Sequence, residues 1–231
     1  MNYFRVGILF LVVMAQLSCS KNAFLESAKK DTDAAITYEA RKLLDTQDYT
    51  GAITALGTLS TAAQAGRDIQ ALFASAYAGR CGLNLIGLAN TLSGSSSAVM
   101  VNLLSVMQSS SASMMADCVT AEGYLKSISA TAAGRTTEEN LLMAFIGMAK
   151  IGAVLAVYAD TDDNGVADGT FDPCNVAKLP DAYAREIATG FTLLYTSIKA
   201  ANASVLSSLV TSLDSFCGTG QPLNSLCNTV V

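Results

Sequence analysis

Apolar residues recur at helical spacing along nearly the whole of this 231-residue chain, and this pattern limits the folds open to it. Alternating runs of β-branched residues are few, and only three prolines interrupt a sequence rich in Ala, Leu and Met. Residues 33–46 and 49–59 each carry an apolar stripe, which predicts two antiparallel helices. We therefore expect an all-α fold, either a helical bundle or a short helical-repeat array.

The first residues have the layout of a signal peptide. Arg5 precedes the apolar run 6–15, and a short stretch then leads to Cys19. The apolar run has about half the ~20 residues that a membrane-crossing helix needs, so a removed leader is favoured over a retained span.

The end of this leader, Gln16-Leu17-Ser18-Cys19, resembles the lipobox of bacterial lipoproteins. It differs from the family at its first position, where glutamine replaces the usual aliphatic residue. The resemblance implies that residues 1–18 are removed and that Cys19 receives a diacylglyceryl lipid. This lipid would anchor the chain to a membrane of the bacterial cell envelope.

Ser20 follows the cysteine, and by similarity to the enteric sorting rule the lack of Asp there implies the outer membrane, with the protein facing the periplasm. Ordinary cleavage after Ala15 is the alternative, because residues 13–15 loosely fit the small-x-small rule. That cleavage would release a soluble exported protein.

The chain without its leader is acidic. Removal of residues 1–18 takes away one basic residue, Arg5, and no acid, so that 13 basic and 19 acidic residues remain, a net charge of −6. Such a charge disfavours nucleic acid and anionic lipid headgroups as partners. The covalent lipid would therefore have to provide the membrane attachment by itself.

The chain contains no histidine. A Ser-His-Asp or Cys-His catalytic site cannot be formed without it, and the commonest transition-metal ligand is missing as well. No G-x-S-x-G motif indicates a nucleophile. We therefore predict that the protein is not an enzyme.

Five cysteines follow Cys19, as is typical of an oxidising compartment. If Cys19 carries a lipid, their odd number leaves at least one thiol free or in an intermolecular bond; otherwise six cysteines could form three disulfides. Local spacing favours a disulfide between Cys217 and Cys227. No C-x-x-C spacing indicates zinc or redox chemistry, so a structural role is expected for Cys81, Cys118, Cys174, Cys217 and Cys227.

Residues 47–53, QDYTGAI, resemble the G-D-Y-x-x-A-I corner of a tetratricopeptide repeat. A second unit that begins 34 residues later would place Phe73, Ala74 and Tyr77 at the packing positions of that family. The resemblance covers residues 33–79 and implies stacked helices with a concave face for a peptide or protein. The alternative is that small residues at helical spacing simply let two helices pack closely.

Residues 71–79, ALFASAYAG, are also similar to a segment of uncharacterised helical lipoproteins of proteobacteria, some of which are grouped near the periplasmic proteins associated with TRAP transporters. This second resemblance implies a helical protein of the envelope. It is also compatible with a role as the partner of a transporter.

Residues 136–139, TTEE, have the form of a capping box and precede the longest apolar run outside the leader. The run predicts one helix over residues 141–158, in which Lys150 is the single charged residue. A membrane span is disfavoured, because a lysine near its middle costs about 2.5–3.5 kcal/mol on insertion scales. We expect a central core helix, with Lys150 either reaching outward along its stem or meeting an acid.

Residues 160–168, DTDDNGVAD, have the D-x-D-x-N-G-x-x-D spacing of a calcium loop. In such a loop alternating oxygen ligands surround one ion, and a glycine permits the sharp turn. The candidate ligands are Asp160, Asp162, Asn164, the carbonyl of Val166, Asp168 and, a few residues later, Asp172.

This loop resembles those of EF-hands and thrombospondin type 3 repeats, but Phe171 stands where an EF-hand has its bidentate glutamate. Asp172 is the next residue and is the candidate replacement. The departure implies a structural ion held with the weak affinity of extracellular modules, about 10⁻⁴–10⁻³ M. A solvated acidic turn that ends the preceding helix is the alternative.

The last long helix is expected to begin near Pro180 and Asp181. Its apolar stripe extends over roughly 50 Å at 1.5 Å per residue. The stripe consists of Tyr183, Ile187, Leu194, Ile198, Val205, Leu209 and Leu213.

Residues 216–231 are expected to form a tail tied back by cysteine.

These patterns predict a leader over 1–18, a tether over 19–32, a helical domain over 33–215 and a tail over 216–231. Within the domain, 33–79 is repeat-like and 160–172 is the acidic loop. The predicted function is that of a membrane-anchored interaction or assembly module of the cell envelope, with an envelope protein or peptide as partner. The alternatives are a periplasmic solute-binding partner of a transporter, indicated by a deep apolar pocket, and a soluble secreted helical protein.

Overall fold

The structure, a computed structural model, describes residues 31–83, 111–172, 174–202 and 211. The expectation of an all-α fold is confirmed, since helices and their connections account for the described residues and no strand occurs among them. The helices are α1 (Asp33–Asp45), α2 (Tyr49–Gly57), α3 (Thr61–Gln64), α4 (Arg67–Arg80), α5 (Ala112–Ile128), α6 (Thr137–Tyr158) and α7 (Asp181–Ala201), with a 3₁₀ turn at Ala132–Gly134.

The corner between α1 and α2 is formed by polar residues. Gln47 adopts a left-handed φ of 61°, and the Asp48 carboxylate caps α2 by accepting a hydrogen bond from the Gly51 amide at 2.9 Å. The Tyr49 ring then packs directly on Gly79 of α4, where any Cβ would overlap it. A helical corner thus lies where the repeat-like motif was recognised, and membership of the repeat family stays a prediction.

The start of α1 is tied to the connection before α3. Both oxygens of the Asp33 carboxylate accept hydrogen bonds from Ser60, one from its amide at 2.9 Å and one from its hydroxyl at 2.6 Å. These bonds hold the pKa of Asp33 below its ordinary value. Under this contact lies a small core formed by Ala40, Leu56, Leu59, Ile69 and Phe73.

A second, larger core lies between α4, α5, α6 and α7. Tyr77 and Tyr124 contact both cores, and Tyr124 stacks on Phe73 with ring centroids 4.7 Å apart. A disulfide between Cys81 and Cys118 joins the end of α4 to α5. Because α4 contributes Phe73 to the small core and both Ala74 and Ala78 to the larger one, this helix connects the two cores.

Helix α6 lies at the centre of the larger core, and most of its residues are buried. The predicted capping box is present: the Glu139 amide donates to the Thr136 hydroxyl, and the Thr136 amide donates to the Glu139 carboxylate. The helix begins at Thr137 and not at residue 141, because the capped first turn is helical although it is polar. Arg67 of α4 also binds the Glu139 carboxylate.

Within the described ranges, α6 is the one helix long and apolar enough to cross a membrane by length and composition. Its most apolar stretch of 18 residues is 67% buried inside the bundle. The lysine in its middle is covered by acidic side chains from α5 and α7. These contacts are the ones that a core helix makes.

Helix α7 begins at Asp181, as predicted, but it ends at Ala201 and not near Leu213. Asn202 adopts a left-handed φ of 47°, and its amide bonds back to Lys199. Asparagine tolerates this conformation better than most residues and often ends a helix. The helix is therefore about 32 Å long at 1.5 Å per residue, and the stripe extends beyond it.

Candidate metal centre

The acidic loop directly follows α6. The amides of Ala159 and Asp160 both bond back to Leu155, which ends the helix, and the Asp168 amide donates to the Ala159 carbonyl at 2.6 Å. The chain therefore closes a compact loop between residues 159 and 168. Asp163 and Gly165 adopt left-handed φ values of 56° and 82°, and these two turns curl the segment around its own acidic side chains.

This loop brings three of the predicted ligands together. The carboxylates of Asp160, Asp162 and Asp168 each have an oxygen atom within 4.8 Å of the others. Asp160 is fully buried, Asp168 is half-buried and Asp162 is exposed. The group therefore extends from the core to the surface, which gives a cation a path from solvent to a buried carboxylate.

Backbone amides hold the buried carboxylate in place. Asp160 accepts hydrogen bonds from the Asn164 amide at 2.9 Å and from the Gly165 amide at 2.8 Å. Asp168 accepts from the Thr161 hydroxyl at 2.5 Å. These donors are part of the loop itself, so the loop backbone and Thr161 orient the two carboxylates.

The other predicted ligands differ in their surroundings. The Asn164 side chain donates to Asp162 at 2.9 Å and accepts from the Val166 amide at 2.8 Å. The side chain of Val166 is 59% exposed. Asp172 is not one of the three clustered carboxylates, and one of its oxygens accepts the Cys174 amide.

A buried charge cluster on the adjoining helices was only partly anticipated. Lys150, only 3% exposed, binds Glu122 at 2.5 Å and Glu186 at 2.6 Å, and it donates to the Thr189 hydroxyl at 2.8 Å. Lys150 was expected either to reach outward along its stem or to pair with an acid, and the structure shows the pairing. The sequence could not name the partners, because they lie 28 and 36 residues away on other helices.

Glu122 in turn binds two ammonium groups, Lys150 through Oε2 and Lys126 through Oε1 at 2.8 Å. Burial alone would raise the pKa of Glu122, but the two lysines outweigh it and hold the pKa below its ordinary value. The carboxylate is therefore charged at neutral pH.

A cavity of about 230 Å³ opens beside this cluster, between the first turns of α5 and α7 and the middle of α6. Its walls are apolar, with Met115, Val119, Val154 and Tyr183 among them. Lys150 and Glu186 supply its charged groups. The cavity thus combines an apolar wall with a polar end, which is the usual composition of a small-ligand site.

The cysteines follow a pairing that the sequence did not indicate. Cys81 and Cys118 form a buried disulfide, while Cys174 is exposed and forms no disulfide with another described cysteine. Local spacing favoured Cys217 with Cys227, and this pair lies outside the described residues, as does Cys19. The one signal that could have indicated Cys81 and Cys118 is that both occupy apolar positions of helical segments.

Comparison of the chain with protein-family profiles, with curated proteins and with solved structures finds no match.

Proposed function

We propose that this chain is an exported, lipid-anchored helical protein of the bacterial envelope that binds a structural calcium ion and acts as an interaction or assembly module. The observation that carries the proposal is the convergence of Asp160, Asp162 and Asp168 within 4.8 Å in one loop. Carboxylate and carbonyl oxygens in a flexible loop are the ligands that calcium prefers.

The ion would stabilise the connection between α6 and α7. Three clustered carboxylates repel one another, and a divalent cation would relieve this repulsion. The Asn164 side chain and the Val166 carbonyl are the further oxygen ligands that the motif offers. Asp172 is a poorer candidate than these three aspartates, because its carboxylate is not part of their cluster.

Melting curves test this part of the proposal. With 10 mM calcium and a dissociation constant of 10⁻⁴–10⁻³ M, binding should add about 1.4–2.7 kcal/mol to the free energy of unfolding. For a domain of this size that corresponds to a rise in melting temperature of roughly 3–10 °C relative to EDTA. Equal melting temperatures in calcium and in EDTA would contradict calcium binding.

The lipid anchor rests on the lipobox-like residues 16–19. The buried disulfide between Cys81 and Cys118 supports export, because disulfides persist in oxidising compartments. Mass spectrometry of the mature protein from a bacterial host tests the anchor. We expect an N-terminal Cys19 that carries a diacylglyceryl group, whereas an N-terminal Gln16 would identify the soluble exported form.

The interaction role rests on the helical corner at residues 47–53 and on the surface of α1, where Tyr38 is 72% exposed. Chemical cross-linking in intact cells, followed by detergent extraction and identification of attached proteins, tests this role. A reproducible envelope partner is expected, and recovery of the protein alone would contradict it.

Solute binding is a second candidate function, and the cavity beside Lys150 and Glu186 favours it. The two functions can be separated, since an interaction module needs an exposed surface while a solute-binding protein needs an occupied cavity.

A further inference from the structure

The cavity between α5, α6 and α7 contains a charge pattern that selects for one class of ligand. An ammonium group has three N–H donors. Those of Lys150 are matched by three acceptors within 2.8 Å, on Glu122, Glu186 and Thr189. Lys150 therefore has no donor left for an anionic ligand, although it is a cation on the cavity wall.

Glu186 is the group with binding capacity left. Its side chain is 34% exposed and lines the cavity. Among the described residues, both groups that bind its carboxylate, Lys150 Nζ and Thr189 Oγ1, contact Oε2. Oε1 has no partner in that part of the chain. A carboxylate accepts several hydrogen bonds, so Oε1 can accept a donor from a ligand.

In the cluster around Lys150, each carboxylate oxygen that takes part in an ion pair binds one ammonium group. Glu122 holds one ammonium on each oxygen, Lys126 on Oε1 and Lys150 on Oε2. Glu186 holds Lys150 on Oε2 in the same way. A ligand ammonium on Oε1 of Glu186 would extend the alternation of positive and negative groups by one more cation. The net charge of −5 of the whole chain also favours a cationic ligand.

The size of the cavity limits the rest of the ligand. A volume of about 230 Å³ exceeds the ~150 Å³ of an apolar cavity that accepts benzene and is smaller than the ~300–1,000 Å³ of sites for drug-sized molecules. Met115, Val119 and Val154 offer only apolar contacts, and the Tyr183 ring adds an aromatic wall. These walls fit a single aromatic ring or a short alkyl chain.

We propose that this cavity binds a small primary amine with an apolar body, whose ammonium group is held by Oε1 of Glu186 and whose body lies against Met115 and Tyr183. The site is independent of the acidic loop. It rests on the second candidate function, solute binding in this cavity, and assigns a ligand class to it, so that its test is a binding measurement.

The experiment compares two probes of nearly equal shape and opposite charge, phenethylamine and 3-phenylpropionate, titrated calorimetrically at pH 7 into the purified full-length protein. We expect saturable one-to-one binding of phenethylamine and binding of 3-phenylpropionate that is at least tenfold weaker. Equal binding of the two probes, or no saturable binding of the amine, would overturn the proposal.

Two variants locate the site. Glu186→Gln removes the charge and leaves Lys150 paired with Glu122, and it should weaken binding of phenethylamine at least tenfold. Ala116→Phe places a ring at an exposed position of the cavity rim and should abolish binding without disturbing the core. The control, Glu39→Gln on α1, should bind within twofold of the unchanged protein. Binding of the amine that survives both cavity variants would show that Glu186 and this cavity are not its site.

Discussion

Gly147 of α6 and Gly190 of α7 bring the backbones of their helices into direct contact. A Cβ at position 147 would lie 2.6 Å from the Gly190 carbonyl oxygen, and a Cβ at position 190 would lie 2.8 Å from the Gly147 carbonyl oxygen. No side chain fits between the two helices at this crossing. The close packing of α6 on α7 therefore depends on two glycines.

Substitution of either glycine should separate α6 from α7. Gly147→Ala is expected to reduce the free energy of unfolding by about 1–3 kcal/mol, since the atoms that its Cβ would meet belong to the backbone. Urea unfolding measures this change. The matched control is Gly123→Ala on α5, where a Cβ meets nothing within 4 Å and alanine should stabilise the helix by about 0.5–1 kcal/mol. Equal effects of the two substitutions would contradict the close crossing.

The disulfide between Cys81 and Cys118 should contribute measurably to stability. It links residues 37 positions apart, and the chain-entropy relation gives about 3–4 kcal/mol for a loop of this length. The double variant Cys81→Ser with Cys118→Ser should therefore melt well below the unchanged protein. A reducing agent should lower the melting temperature of the unchanged protein more than that of the double variant. Cys174→Ser is the control, because this cysteine is exposed and lies outside the disulfide, so its replacement should have little effect.

The ion pair between Lys150 and Glu122 predicts a dependence of stability on pH. The pKa of Glu122 in the folded protein lies below its ordinary value of 4.5, so its contribution is present above pH 4.5 and is lost as the pH falls further. Glu122→Gln should be less stable at pH 7 and should lose less stability than the unchanged protein on acidification. Denaturant unfolding between pH 7 and pH 3 measures both curves, and parallel curves would contradict the expected role of the pair.

Removal of the lysine should cost more than removal of either acid. Lys150→Met leaves the carboxylates of Glu122 and Glu186 close together without the cation between them, and Glu122 is largely buried. Breaking such a buried pair costs about 3–5 kcal/mol. The same unfolding measurement tests this order, and Lys42→Met at an exposed position of α1 serves as the control.

Tyr158 should be among the last tyrosines to titrate. Two causes raise the pKa of Tyr158 to about 12: burial, which has the larger effect, and a hydrogen bond with Tyr183. Because the neutral phenol is favoured in the folded state, this contribution is complete below about pH 10 and is lost between pH 10 and 12. Absorbance at 295 nm should show a late step that Tyr158→Phe removes; an unchanged titration curve in this variant would contradict the assignment.

Features that depend on neighbouring residues were predictable from the sequence. The capping box at Thr136 and Glu139 requires only residues three apart, and it correctly indicated the start of the central helix to within one turn. The clustering of Asp160, Asp162 and Asp168 also follows from a short motif, because the loop that carries them closes on itself. The capping box and the carboxylate cluster are each formed by residues that lie close together in the sequence.

Features that depend on the packing of distant helices were not predictable. The disulfide of Cys81 with Cys118 and the contact of Gly147 with Gly190 join residues 37 and 43 positions apart. Their pairing is set by the arrangement of whole helices. The end of α7 was missed for a different reason, since the apolar stripe continues beyond Asn202 while the backbone conformation of Asn202 ends the helix.

Calorimetric titration of calcium into the unchanged protein and two variants of its loop tests the calcium site. Asp162→Asn removes the charge of an exposed member of the carboxylate group, whereas Asp163→Asn removes an adjacent charge outside that group and suits its left-handed backbone. We expect the unchanged protein to bind one ion per chain with a dissociation constant of about 10⁻⁴–10⁻³ M. Binding should be at least tenfold weaker in Asp162→Asn, and in Asp163→Asn it should be within twofold of that of the unchanged protein. No saturable binding, or equal weakening by the two variants, would contradict a calcium site in this loop.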